Sequence, residues 1–193
     1  MPNTSISSPA NNAVVSGITT ILATASDNVG VTKVELYADT SLIETDTASP
    51  YSALWNTFGL ASLSSHTLYT KAYDAAGNIG TSPQVQVKIA DIIAPTISIT
   101  SPLDGVIVPS RTIANFITRR STLNITASAS DDIAVARVQF YVNNSLKCTD
   151  NSYPDSCIWS VPSGKNKVYG LQAKAYDTAN NIGASSIVKI TAK

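Results

Sequence analysis

Hydrophobic and polar residues alternate with a period of two along most of the chain, in short runs broken by Asp, Asn, Gly and Ser. That period predicts half-buried strands, with one column facing a core and the other facing water. The first half predicts inward columns of Ile21, Ala23 and Ala25, of Val34 and Leu36, of Leu68, Thr70 and Ala72, and of Val85, Val87 and Ile89. Lys33, Glu35 and Tyr37, and likewise Tyr69, Lys71 and Tyr73, fall in the outward columns. Residues 27–30, 39–41 and 76–78 are rich in the Asp, Asn, Gly and Ser that make turns.

The pattern then repeats. Residues 25–37 return as 129–141, and residues 72–80 as 175–183. The inward columns recur as Ile125, Ala127 and Ala129, as Val138 and Phe140, as Leu171, Ala173 and Ala175, and as Val188, Ile190 and Ala192. Two copies of one all-β module are therefore expected, residues 1–91 and 92–193, each a sandwich of about seven strands. Trp55 and Trp159 occupy matching positions and are expected in the cores, although aromatic faces also stack on sugars. The second copy departs at Ala134 for Gly30, Asn180 for Gly77 and Asp155 for Tyr51. It also carries an insertion around 109–120, with Ile113, Phe116 and Ile117 among Arg111, Arg119 and Arg120. A hairpin elaborating its own sandwich is expected there, and a contact with a partner is the alternative.

Several motifs recur together: Ile-x-Ser-Pro at Ile6 and Ile99, the segment around Asp27 to Gly30 leading into Val34 to Tyr37, Ser-Pro-Tyr before Trp55, and residues 72–78. In this combination the chain resembles the bacterial immunoglobulin-like (Big) domains found in strings within secreted and surface proteins. The resemblance implies tandem immunoglobulin-like sandwiches arranged end to end, joined by a short linker from Asp91 closed by Pro95. It also implies a role as spacer, adhesin stalk or accessory module.

Composition removes several other roles. The formal net charge is zero and only 13% of residues are charged, so no basic footprint for nucleic acid exists. No apolar run approaches the ~20 residues that span a bilayer, so membrane insertion is not expected, and the N-terminus lacks the layout of a secretion signal. Cys148 and Cys157 flank a turn-like segment, while the first copy has Glu44 and Ala53 in their place. A cross-strand disulfide confined to the second module is expected, with export as its consequence. Zinc is not expected, since it wants four ligands and these two cysteines have no Cys or His nearby.

Hard oxygen ligands drawn from several loops are what calcium requires. Asp91, Asp131, Asp132, Asp177 and Asn181 are candidates at the inter-module junction, with Asp27, Asn28, Asp74 and Asn78 as the equivalent set of the first module. Asp and Asn at such positions also serve simply as turn caps. No cofactor is otherwise required. Tyr37, Tyr69 and Tyr73 with Lys33 and Lys71 form a candidate glycan-binding face, against which stands the reading of a ladder that only covers the sheet. His66 is the one histidine, is expected as a solvated strand start, and with no nucleophile motif beside it enzymatic activity is not expected. A lysine cross-link is disfavoured because Lys33, Lys71 and Lys174 all alternate outward. The expected function is a non-enzymatic spacer or adhesin-stalk segment of an exported bacterial protein, located outside the cell or on its surface. Its expected partners are neighbouring modules of a larger chain and, beyond them, a glycan or other cell-surface ligand. The alternative is a carbohydrate-binding accessory module of a secreted polysaccharide-active enzyme.

Overall fold

The structure, a computed structural model, describes residues 1–109, 111–113, 117–119, 121–162 and 166–193, with the backbone alone at 111–113 and 117–119. The chain divides into two compact units, Met1–Asp91 and Ile92–Lys193. All regular structure among the described residues is β.

In the first unit the strands are β1 (Asn3–Ser8), β2 (Ala13–Val15), β3 (Ile18–Ser26), β4 (Val31–Ala38), β5 (Ser41–Asp46), β6 (Tyr51–Asn56), β7 (Ser65–Asp74), β8 (Ile79–Thr81) and β9 (Val85–Ile89). One sheet has the order β1-β3-β6. The other has the order β2-β9-β7-β4-β5, with β8 added against β7. Leading strands β1 and β2 belong to different sheets, and β2 pairs with β9 in parallel while every other pair is antiparallel. The predicted inward columns close between the sheets, with Ile21, Val34, Leu36, Leu68 and Ala72 fully buried and Trp55 at 5% exposure. Trp55 therefore fills the core and leaves no face for a sugar. Burying side chains of this size contributes roughly 1.5–3 kcal/mol each.

The second unit repeats this plan with β10 (Thr96–Ser101), β11 (Ile107–Val108), β14 (Ser121–Ser130), β15 (Val135–Val142), β16 (Ser145–Asp150), β17 (Ser156–Val161), β18 (Lys167–Asp177), β19 (Ile182–Ala184) and β20 (Val188–Ala192). Its sheets are β10-β14-β17 and β11-β20-β18-β15-β16, with β19 against β18. Phe140, Val138, Leu171, Ala173 and Ile190 are fully buried, and Trp159 is 8% exposed. The insertion forms a separate antiparallel pair, β12 (Arg111–Ile113) and β13 (Ile117–Arg119), in the register Arg111 to Arg119 and Ile113 to Ile117. Phe116 and Arg120 lie outside the described residues.

Two local devices are common to both copies. Gly77 has φ +84° and its counterpart Asn180 has φ +70°, so the turn survives the substitution because Asn tolerates the left-handed region better than other non-glycine residues. Beside it, β8 and β19 each present a glycine to the chain leading into the module. A Cβ at Gly80 would overlap the carbonyl of Pro2, and a Cβ at Gly183 the carbonyl of Pro95.

Candidate functional site

The acidic residues fall at the loops following β3 and β7 in the first unit, and following β14 and β18 in the second. Asp74 holds its turn with both oxygens: the Asn78 backbone N–H donates to Oδ1 at 2.9 Å and the Asn78 amide donates to Oδ2 at 2.7 Å. Asp177 and Asn181 repeat this pair at 2.8 and 2.7 Å. The Asn78 side-chain bond leads the set of hydrogen bonds that hold the Asp74 carboxyl below its ordinary value, against the opposing effect of burial. Asp27 and Asp131 use only one oxygen this way. Val29 N–H donates to Asp27 Oδ2 at 3.0 Å, and Ile133 and Ala134 N–H donate to Asp131 Oδ2 at 3.1 and 3.0 Å. The other oxygen, Oδ1, is buried in both residues without a directed hydrogen bond. Buried carboxylate oxygens in that state are costly, and a cation relieves the cost.

Asp27 has its side chain 1% exposed, with the Met1 ammonium standing 3.3 Å from Oδ1 as a counter-charge. In the second unit, carboxylate oxygens of Asp131 and Asp177 lie within 4.8 Å of each other. Asn28 lines the same surface recess as Met1, Asp74 and Asn78. Asp132 is exposed. Asp91, the last residue of the first unit, is 8% exposed and accepts a bond from Ser62 Oγ at 3.4 Å.

The tyrosine–lysine face assembles on β4 and β7, whose register sets Lys33 opposite Tyr73, Glu35 opposite Lys71, and Tyr37 opposite Tyr69. At its centre is Glu35, which sits in an outward column yet is only 9% exposed. Tyr37 and Tyr73 each donate a hydroxyl to Glu35 Oε2 at 2.7 Å, and Lys33 Nζ donates to Oε1 at 2.6 Å. Burial raises the Glu35 pKa, but the bonds from Lys33, Tyr73 and Tyr37 together outweigh it and lower the value from 4.5 to about 2. The same bond, with burial, pushes the Tyr37 phenol up to about 12. Tyr37 and Tyr69 stack with centroids 4.9 Å apart, Lys71 lies over Tyr37 and Lys33 over Tyr73. Hydroxyls and ring faces are thus spent on one another. The second unit keeps the outline without the central carboxylate: Tyr141 donates to Gln139 at 2.7 Å, Lys174 covers Tyr141 and Arg137 covers Tyr176.

His66 departs from the expectation of a solvated strand start: its side chain is 16% exposed and bridged on both sides. Nδ1 lies 2.8 Å from Asp39 Oδ2 and Nε2 lies 2.9 Å from Ser64 Oγ, the order of groups found in hydrolytic triads. The remaining partners turn this into a brace. Ser64 Oγ donates to Ala61 O at 2.7 Å, and the N–H groups of Leu63 and Ser64 are committed to Ile89 and Ala61 carbonyls. Neither of these two N–H groups is therefore free to stabilise an oxyanion. The sequence does not show this string, because Asp39 comes from a turn 27 positions away.

The disulfide joins Cys148 to Cys157, with Cα atoms 5.8 Å apart. It differs from a bond across one hairpin. Cys148 is on β16 and Cys157 on β17, edge strands of the two different sheets, so the bond clamps the open side of the sandwich.

Two largely antiparallel sheets, with the leading strand divided between them and a buried Trp in each core, define an immunoglobulin-like sandwich in duplicate. The model of the bacterial Ig domain family matches residues 2–75 and again 95–173; the chain belongs to that family. No curated protein is matched. Among solved structures, the fibronectin(III)-like modules of Clostridium thermocellum CbhA are 26% identical, covering 98% of this chain and 92% of that one, at TM-score 0.44. The Bacteroides ovatus mixed-linkage glucan utilization protein SGBP-B, solved with a heptasaccharide, is 14% identical over 99% of this chain and 47% of its own, at TM-score 0.37. The D00-D0 domain of intimin is 12% identical over 97% and 98%, at TM-score 0.35. No helix among the described residues is long and apolar enough to cross a membrane.

Proposed function

We propose that this chain is a non-enzymatic structural segment of an exported bacterial protein, a pair of modules that spaces and carries the parts on either side. One observation carries the reading: the tyrosine–lysine face, His66 and the Asp–Asn turn pairs are committed to one another in holding turns and covering sheets. Membership of a family common on exported and surface proteins supports it, as does a disulfide, which persists in oxidising compartments. The test is replacement of residues 1–193 within the parent protein by an unrelated pair of sandwiches of equal length. Export and activity of the parent should survive. Loss of activity with export intact overturns the reading. If that loss is reproduced by Tyr73→Ala, together with loss of retention on a polysaccharide column, the tyrosine face is a glycan-binding accessory site instead.

Calcium fits the acidic loop ends on one observation, the buried Oδ1 of Asp131, which accepts no directed hydrogen bond. Asp27 and Asp74 would hold it in the first unit, and Asp131 and Asp177 in the second, with water completing a shell of 6–8 oxygens. Once bound, the ion supplies no reaction; it cross-links two loops of a module and neutralises their carboxylates.

A further inference from the structure

The two copies differ at one core position in a way that the spacer role does not use. In the first unit Tyr51 pairs with Ala23 at the start of β6 and is 6% exposed. The second unit has Asp155 there, joined to the matching strand by Ala127 N–H donating to the Asp155 carbonyl at 3.1 Å. Exchanging a phenol ring for a short carboxylate leaves room, and a cavity of ≈ 300 Å³ opens at this place. Ala129, Val135 and Ala136 supply its apolar wall, Asp131 and Tyr153 also line it, and Asp155 reaches it from the core. Asp155 is 7% exposed, whereas Tyr153 is 84% exposed. No hydrogen bond or ion pair from another described residue reaches the Asp155 carboxylate. Arg137 also lines the cavity, but its guanidinium lies 4.0 Å from the Tyr176 ring and 3.5 Å from Asn180 Oδ1.

We propose that this cavity is a binding site for an organic ammonium group, with Asp155 as its ion-pair partner and Tyr153 as an aromatic flap over the bound cation. The inference goes beyond the spacer role and does not depend on it. The Asp155 carboxylate lines the cavity with only its own backbone N–H as a donor, and an ammonium offers three donors and a compensating charge. A hard metal ion does not suit the place. Both oxygens of nearby Asp150 already accept from Ser152 and Ser156 N–H groups, and Asp131 Oδ2 from those of Ile133 and Ala134, which leaves few carboxylate oxygens in the cavity for a shell of 6–8. An aliphatic or pyranose body suits the apolar wall, and an exposed Tyr face attracts cations. Burial, with the Asp150 charge adding to it, raises the Asp155 pKa, which is the state a bound cation would reverse.

Amino sugars and alkyl amines share this chemistry, and the titration separates them. The whole chain is titrated at neutral pH with glucosamine, with 1,5-diaminopentane and with uncharged N-acetylglucosamine, following amide shifts at Ala129, Val135 and Asp155. Ammonium compounds should bind with a dissociation constant on the order of 1 mM and move second-unit signals alone, and the acetylated sugar should not bind. Asp155→Asn, which keeps the shape, should weaken binding at least tenfold. Asp155→Tyr, which restores the first unit's residue and fills the cavity, should abolish it with the spectrum of the fold retained. Preference for glucosamine identifies the amino sugar as the ligand type, and preference for the diamine an alkyl ammonium. No binding of either amine, or equal binding to Asp155→Asn, overturns the proposal.

Discussion

Replacing both cysteines of the clamp with alanine, Cys148→Ala/Cys157→Ala, should destabilise the second unit and leave the first unchanged. The bond closes a loop with a sequence separation of 9. The chain-entropy relation for a loop of that length gives about 9 cal/mol/K, or about 2.6 kcal/mol at room temperature. Packing adds little, because the first unit already carries Ala53, 3% exposed, where the second has Cys157 at 2%. For a unit of about 100 residues each kcal/mol moves the midpoint by about 4–8 °C, so the shift should be about 10–20 °C. Calorimetry of the whole chain should show that displacement in one of two transitions. Reducing agent should shift the wild type equally and the double variant not at all. A displacement under about 3 °C, or an equal one in both transitions, would refute the view that the bond acts by clamping one sandwich.

Two further outcomes follow from charges already described. Glu35→Gln should flatten the acid dependence of the first unit's stability: the folded pKa of about 2 lies below the ordinary 4.5, so the contribution is complete above 4.5 and disappears as pH falls toward 2. Allowing for solvent at the Lys33 end, the effect is about 1–2 kcal/mol, read from melts between pH 2 and 6. Millimolar calcium should raise the midpoint of each unit by several degrees relative to EDTA, through binding to the folded state. Asp177→Ala should abolish the rise in the second unit only, and identical melts in calcium and EDTA would leave the acidic residues as turn-makers.

The architecture was legible because two copies could be read against each other. Ile21 beside Ile125, or Leu36 beside Phe140, shows which column points inward, since substitutions there keep apolar character while Leu22 and Thr126 do not. What a period of two does not carry is contact between side chains of one column. Glu35 alternates outward and is nevertheless buried, because Tyr37, Tyr73 and Lys33 close over it. His66 likewise depends on Asp39, which only the pairing of β4 with β7 brings near. The cysteines were visible as a pair, but their spacing suits a hairpin as well as a clamp between sheets. Asp155 was visible as a departure from Tyr51, and its cavity was not, since a void belongs to the surroundings of a residue.

The Tyr51 and Asp155 difference also bears on how two such similar neighbours avoid confusing their parts. Adjacent copies of one fold are prone to exchanging equivalent strands as they form. A β17 that docked into the first unit would put the short Asp155 side chain where the Tyr51 ring fills the core at 6% exposure, a large-to-small cavity cost on the order of 3 kcal/mol. It would also set Cys157 opposite Glu44 and strand Cys148 beside Ala53. The divergence between the copies therefore favours pairing of each strand within its own module over exchange with its neighbour.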